Sequence, residues 1–146
     1  MTEFYRTTLS DRGMSARYQD LVGNKGSGTP YDDLVPVPDA RIAALRQEYP
    51  GLPADFADFL TEIGAGSLAG DRYQLYDGLV GPDDIYGVVE DGFDTLALFG
   101  DDLQGLGDGF DTQDWRVVEV DPTNATFHTV GASFEDFIRA KIAELA

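Results

Sequence analysis

The side chains able to do chemistry in this sequence are mostly carboxylates, and many come in pairs. Asp32–Asp33, Asp83–Asp84 and Asp101–Asp102 are adjacent in the chain, and Asp101, Asp102, Asp108, Asp111 and Asp114 crowd the glycine-rich stretch FGDDLQGLGDGFDTQDW. Two carboxyls held roughly 5–9.5 Å apart across a sugar cleft hydrolyse glycosides. With 27 acidic residues in 146, some pair meets that spacing by chance, so the pairs alone specify no reaction. Oxygen donors on a flexible loop also suit calcium. The stretch lacks the D-x-[DN]-x-[DN]-G spacing of an EF-hand, however. Its GLGDGFD fragment resembles one nonapeptide calcium repeat, and such repeats bind as stacked arrays. No metal is expected.

His128 is the only histidine and falls in a predicted strand between Phe127 and Thr129. A Ser-His-Asp site would have to use it, and no G-x-S-x-G places a serine beside it. A surface or packing role is expected instead. Cysteine is absent, which removes disulfides, thiolate nucleophiles and Cys-ligated metals together. Neither GNKGSG nor GAGSLAG fits the phosphate loop G-x-x-x-x-G-K-[ST], and neither joins a strand to a helix in a βαβ unit. No catalytic residue and no cofactor follow from these residues.

Charge says more. The 27 acids face 10 bases, a formal −17, where about 2–8 in magnitude is ordinary for a small domain. From Asp71 to Asp121 there are 14 acids and two bases, Arg72 and Arg116, so −12 of the −17 lies in this stretch. Such a field repels nucleic acid and anionic membranes and attracts basic proteins. Ten scattered bases make no nucleic-acid stripe. The start MTEFYRTTLSDRG has no apolar signal-peptide core, and no stretch approaches the roughly 20 apolar residues of a membrane span. The expected compartment is the cytoplasm.

The elements that must position these residues follow from periodicity. A short helix is predicted over Ser15–Val22, before a linker-like Gly23–Pro30. A second helix runs from about Asp39 to Tyr49 and stops at Pro50-Gly51. A third opens at Pro53, places Phe56, Phe59, Leu60 and Ile63 on one face, and ends at Gly64. The last starts at Ser133 as N-cap, with Phe134, Phe137, Ile138, Ile142 and Leu145 as its apolar stripe. Between them lie β-like runs at Tyr73–Tyr76, Leu79–Val80, Thr95–Phe99, Trp115–Val120 and Ala125–Val130. Asp121-Pro122-Thr123-Asn124 has turn chemistry that makes the last two an antiparallel hairpin. The predicted class is α+β: one domain with a central antiparallel sheet and helices from the N-terminal half and the C-terminus packed around it. Residues 1–37 form an N-terminal arm, either part of the domain or apart from it, and residues 38–146 the domain proper.

Leu52-Pro53-Ala54-Asp55-Phe56-Ala57-Asp58-Phe59-Leu60, followed by Ile63-Gly64-Ala65-Gly66, resembles the LP-x-D-[FY]-x-x-[FL]-L … G-G signature of the SUKH superfamily. This superfamily joins Smi/Knr-type cell-wall assembly regulators with many bacterial immunity proteins. Leu98-Phe99-Gly100-Asp101-Asp102 is similar to its late strand and turn, and Ser133-Phe134-Glu135-Asp136-Phe137-Ile138 to its closing helix. The order holds from about Asp39 to the C-terminus. A G-A-G replaces the usual N-G-G, and residues 23–37 have no counterpart. The resemblance implies an α+β fold and a non-enzymatic role, commonly the neutralising of a toxin by direct binding, and it carries over no catalytic residues.

Tyr73, Tyr76, Tyr86, Phe93, Phe110 and Trp115 lie among the acids of the middle segment, and aromatic anchors within a charged field suit a protein interface. Trp115 is expected in the core. The predicted partner face is Tyr76, Tyr86, Asp101, Asp102, Asp108, Asp111 and Asp114, and the expected partner is a protein, a basic toxin domain of nuclease type fitting the charge best. The alternatives are a regulatory scaffold of the cell-wall or signalling type, and a small calcium-binding or carboxylate-dependent enzyme.

Overall fold

Residues 17–82, 93–124 and 126–146 are described by a computed structural model of the chain. Among them are helices α1 (Gln19–Asn24), α2 (Asp39–Glu48), α3 (Ala54–Glu62) and α4 (Phe134–Leu145). The strands are β1 (Gly66–Leu68), β2 (Tyr73–Val80), β3 (Leu96–Asp101), β4 (Gly107–Asp111), β5 (Arg116–Asp121) and β6 (Thr126–Gly131). Each strand pairs antiparallel with the next in sequence, and the sheet order is β1 to β6. The chain is thus α+β with an antiparallel sheet.

The helices cover one face of that sheet because their apolar stripes match its inward residues. Phe56 and Phe59 of α3, Phe134 of α4, Phe99 of β3 and Phe110 of β4 are fully buried together. Their rings meet mostly edge-on, with centroids 5.0 Å apart for Phe56–Phe134 and 5.1 Å for both Phe99–Phe110 and Phe99–Phe134, the arrangement that ring quadrupoles favour. On the other face Phe93, Leu96, Leu98, Val118 and Val120 form a second, smaller apolar cluster.

The start of α4 and the end of α3 obey the local grammar, while α1, α2 and α3 begin without a side-chain cap. The Ser133 hydroxyl accepts the Asp136 N–H at 3.2 Å and caps α4. Beyond α3, Gly64 has φ of +122°, and a Cβ there would lie 2.3 Å from the backbone of Val35. That close approach lets Val35 and Ala65 form an antiparallel bridge, with N–H···O distances of 2.9 and 3.0 Å.

The segment from Arg17 to Val37 is built into the fold. Tyr18, Tyr31, Leu34 and Val37 belong to the main core. The glycine-rich Gly23–Pro30 stretch folds into a compact turn: the Asp32 carboxylate accepts N–H bonds from Gly26 at 2.7 Å and Gly28 at 2.8 Å and the hydroxyl of Thr29. Lys25 extends its ammonium to the carbonyls of Leu34 and Ile63, at 2.6 and 2.7 Å.

β1 (Gly66–Leu68) has no counterpart among the predicted runs, and the strands differ from expectation in three further places. The Tyr73–Tyr76 and Leu79–Val80 runs are one strand, β2, with an irregular register against β3 between Leu75 and Val80. Trp115 is not the head of β5. It occupies the left-handed region at φ 61° in the turn before it. The predicted Gly-Asp loop around Asp108 contains β4, buried at all five positions. Its glycines are what allow this, since a Cβ on Gly109 would lie 2.3 Å from the Ala97 carbonyl oxygen.

Candidate functional site

The β3–β4 turn sets the geometry of the acidic stretch. Asp101 ends β3, and its carboxylate accepts the Tyr76 hydroxyl from β2 and the Leu103 N–H, the latter at 2.8 Å. Asp102 accepts the N–H groups of Gln104 at 2.8 Å and Leu106 at 3.0 Å. These side chain-to-backbone bonds are Asx-type turn contacts, in which the carboxylate takes the place of a backbone acceptor. They hold Leu103 at φ 63°, with 49% of its surface exposed. A leucine in the left-handed region costs about 1–2 kcal/mol, and here it leaves an apolar side chain open to water directly after Asp101 and Asp102.

The sheet register brings other turns to the same end. Gly107 pairs with Val120, and Asp121 with Thr126, so the β5–β6 turn lies beside the β3–β4 turn. Leu68–Tyr73, which joins β1 to β2, is at that end too, since Gln74 pairs with Asp101. Asp71, Asp101, Asp102 and Asp121 are thereby gathered at one end of the sheet. Next to them, Tyr76 lines an open groove of about 590 Å³ with Val35, Pro36, Leu75, Asp77 and Val80.

The rest of the predicted face is dispersed. Asp114 stands at the opposite end, in the β4–β5 turn, where the backbone N–H and guanidinium of Arg116 hold its carboxyl below the usual range. Asp111 and Asp108 are buried, at 4% and 3% exposure, and so are not part of an exposed acidic face. Both are buried because β4 is a central strand, paired on both sides, and not a loop. Asp111 receives the Gln113 N–H at 3.0 Å and faces Arg116 at 3.3 Å. Tyr86 lies outside the described residues. Of the predicted face, the structure brings together Tyr76, Asp101 and Asp102. Leu103, whose N–H binds Asp101, joins them in the turn, and its one sequence signal is an apolar residue alone within DDLQG.

Asp108 has a different environment. Its Oδ2 accepts the Tyr73 hydroxyl at 2.9 Å, while Oδ1 meets no donor among the described residues. Burial pushes its carboxyl up to about 7, against the opposing effects of the Tyr73 bond and of Lys141. Asp108 pairs in register with Glu119, and Glu119 with His128, whose Nε2 is 3.7 Å from Glu119 Oε1. This row holds the residues a carboxylate-dependent hydrolase would use. Yet the His128 side chain is 67% exposed and Asp108 is closed beneath Tyr73, so the two do not share a solvent-open cleft. No group of three or more His, Asp or Glu among the described residues is arranged to hold a metal ion.

No family model matches the chain, and no curated protein matches it. No helix among the described residues is long and apolar enough to cross a membrane.

Proposed function

We propose that this chain is a non-enzymatic protein-binding domain of the immunity type, which neutralises a basic toxin domain by covering it. The observation that carries this proposal is Leu103, an exposed leucine kept in an unfavourable backbone conformation at the tip of an acidic turn. Backbone strain of this kind persists where the surroundings over-determine it, and it clusters at functional sites. The Tyr76–Asp101 contact and the two Asp102 bonds supply that over-determination. An apolar anchor in an acidic turn fits a basic surface: the leucine would fill a pocket and the acids would steer the encounter.

The net charge of −17 supports the same choice of partner. A nuclease toxin must hold a polyanion in a basic cleft, and an acidic domain can occupy such a cleft in its place. The resemblance to SUKH immunity proteins agrees with this role. The test is a pull-down with the tagged protein from its native cell extract at low salt and at about 0.5 M salt, with mass spectrometry of the retained proteins. A basic, toxin-like protein held at low salt and weakened at high salt is the expected result. Retention of acidic or neutral proteins only, insensitive to salt, would count against electrostatic capture and favour the scaffold role.

A further inference from the structure

The two edges of the sheet are unlike. The β1 edge is three residues long, and the Val35–Ala65 bridge adjoins it. Among the described residues β6 is the outer strand at the other side, six residues paired to β5, with Thr126, His128, Thr129 and Val130 exposed. An edge strand presents unpaired N–H and C=O groups, and proteins usually protect such edges with lysine, proline, a bulged strand or shortness. The β6 sequence, Thr-Phe-His-Thr-Val-Gly, contains no lysine or proline and is rich in β-branched residues; its register against β5 shifts at Val130, and Thr126–Thr129 pair regularly. Val130 is 40% exposed, one of the large apolar side chains open to solvent.

Beside this edge lies a recess of about 270 Å³ between β5, β6 and α4. It is lined by Glu119, Val130, Asp136, Phe137, Lys141 and Glu144. The Lys141 ammonium is turned inward, 3.6 Å from Glu144 and over the Tyr73 and Phe137 rings. Glu119, which also faces His128 at 3.7 Å, and Asp136 form the acidic wall, and Asp121 at the end of β5 continues it toward the acidic turns. A strand added along β6 would direct alternate side chains to the α4 side, over this recess.

We infer that β6 is a docking edge for an extended segment of a basic partner, whose backbone pairs with β6 and whose alternate Lys or Arg side chains enter the Glu119–Asp136–Glu144 recess. The inference rests on the reading of the chain as a binder of basic protein, and it adds the surface and the mode. Charge selects this occupant over a second copy, because two chains of −17 repel each other.

The probes are acetylated, amidated peptides of about seven residues, long enough to span β6, with alternating Lys and Val. Controls carry Glu for Lys, or N-methyl groups on alternate amides in either of the two frames. Backbone amide shifts and exchange rates of Thr126–Gly131 are followed at low salt. The Lys peptide should shift and protect β6, the Glu peptide should not, and one N-methyl frame should lose binding. The triple change Glu119→Gln, Asp136→Asn and Glu144→Gln should weaken the Lys peptide about tenfold. Equal binding by both N-methyl frames, shifts confined to other elements, or β6 protection that grows with protein concentration without peptide would overturn the inference. If a basic protein from the pull-down binds without perturbing β6, the docking edge fails and the binding role stands. If the peptide docks on β6 but no basic protein is retained, the immunity role fails.

Discussion

The Tyr73 hydroxyl donates to Asp108 across the β2–β4 separation at 2.9 Å, inside the sheet–helix layer, and both residues are almost wholly buried. A carboxyl placed there keeps its proton far above the ordinary range, near 7 instead of 3.8, chiefly because burial penalises the anion.

This sets a pH dependence. Between the two values the folded chain holds a proton that the unfolded chain has lost, so stability falls as pH rises from about 4 to about 7 and levels off above that. The upper bound for this one group is on the order of 4 kcal/mol. Urea denaturation at pH 5 and pH 8 should find the parent weaker at pH 8, and Asp108→Asn should remove most of that difference. Glu119, Asp102 and Lys141 also act on this carboxyl, and the Asn variant isolates Asp108 from them.

Gly109 lies in the middle of β4 against β3, and a Cβ there would meet the Ala97 oxygen at 2.3 Å and Leu98 Cα at 2.7 Å. Both obstacles are backbone, so neither can swing aside. Gly109→Ala should cost about 2–3 kcal/mol or more, measured as a fall in the denaturation midpoint. Gly70→Ala provides the contrast: nothing lies within 4 Å of its added Cβ, and only the strain of its φ of +73° remains.

Leu103→Gly separates binding from stability. The glycine relieves the left-handed strain and adds unfolded-state entropy, and these effects oppose each other at about 1 kcal/mol each. Folding stability should therefore stay within about 1 kcal/mol of the parent, while affinity for the captured partner falls about tenfold or more, as expected on losing a buried apolar anchor. Parallel losses in stability and affinity would mean that Leu103 serves the turn and not the partner.

Asp32 organises the turn after α1. Its carboxyl is held down to about 2, first by the Thr29 hydroxyl and then by the Gly26 and Gly28 N–H groups. Its contribution is present above its ordinary 3.8 and is lost as pH falls toward 2. In Asp32→Ala, amide exchange at Gly26 and Gly28 should speed up at neutral pH, while the parent should reach the same fast exchange only in strong acid, after correction for intrinsic rates.

What was legible in the sequence was whatever rests on local periodicity and caps. The Phe56, Phe59, Leu60, Ile63 stripe, the Ser133 cap and the Asp121–Asn124 turn stand where spacing put them. β4 was hidden because Gly-Asp-Gly-Phe-Asp carries turn composition, and its strand character comes from neighbours on both sides. That same misreading placed Asp108 and Asp111 on the surface. Tyr76, Asp101 and Asp102 were singled out from composition, but their meeting depends on the β2–β3 register, a non-local fact. Leu103 escaped notice because one apolar residue in a polar turn is ordinary in sequence. Its exposure and backbone angle become visible only in the fold.

The measurement that bears most directly on the proposed role is the association rate of the captured partner from about 0.05 to 0.5 M salt, for the parent and for Asp101→Asn/Asp102→Asn. A basic partner steered by the acidic end should associate with the parent at a rate that falls steeply with salt, and the variant should start lower and fall less. Association that is independent of salt and identical in the two proteins would contradict electrostatic capture at the Leu103 turn.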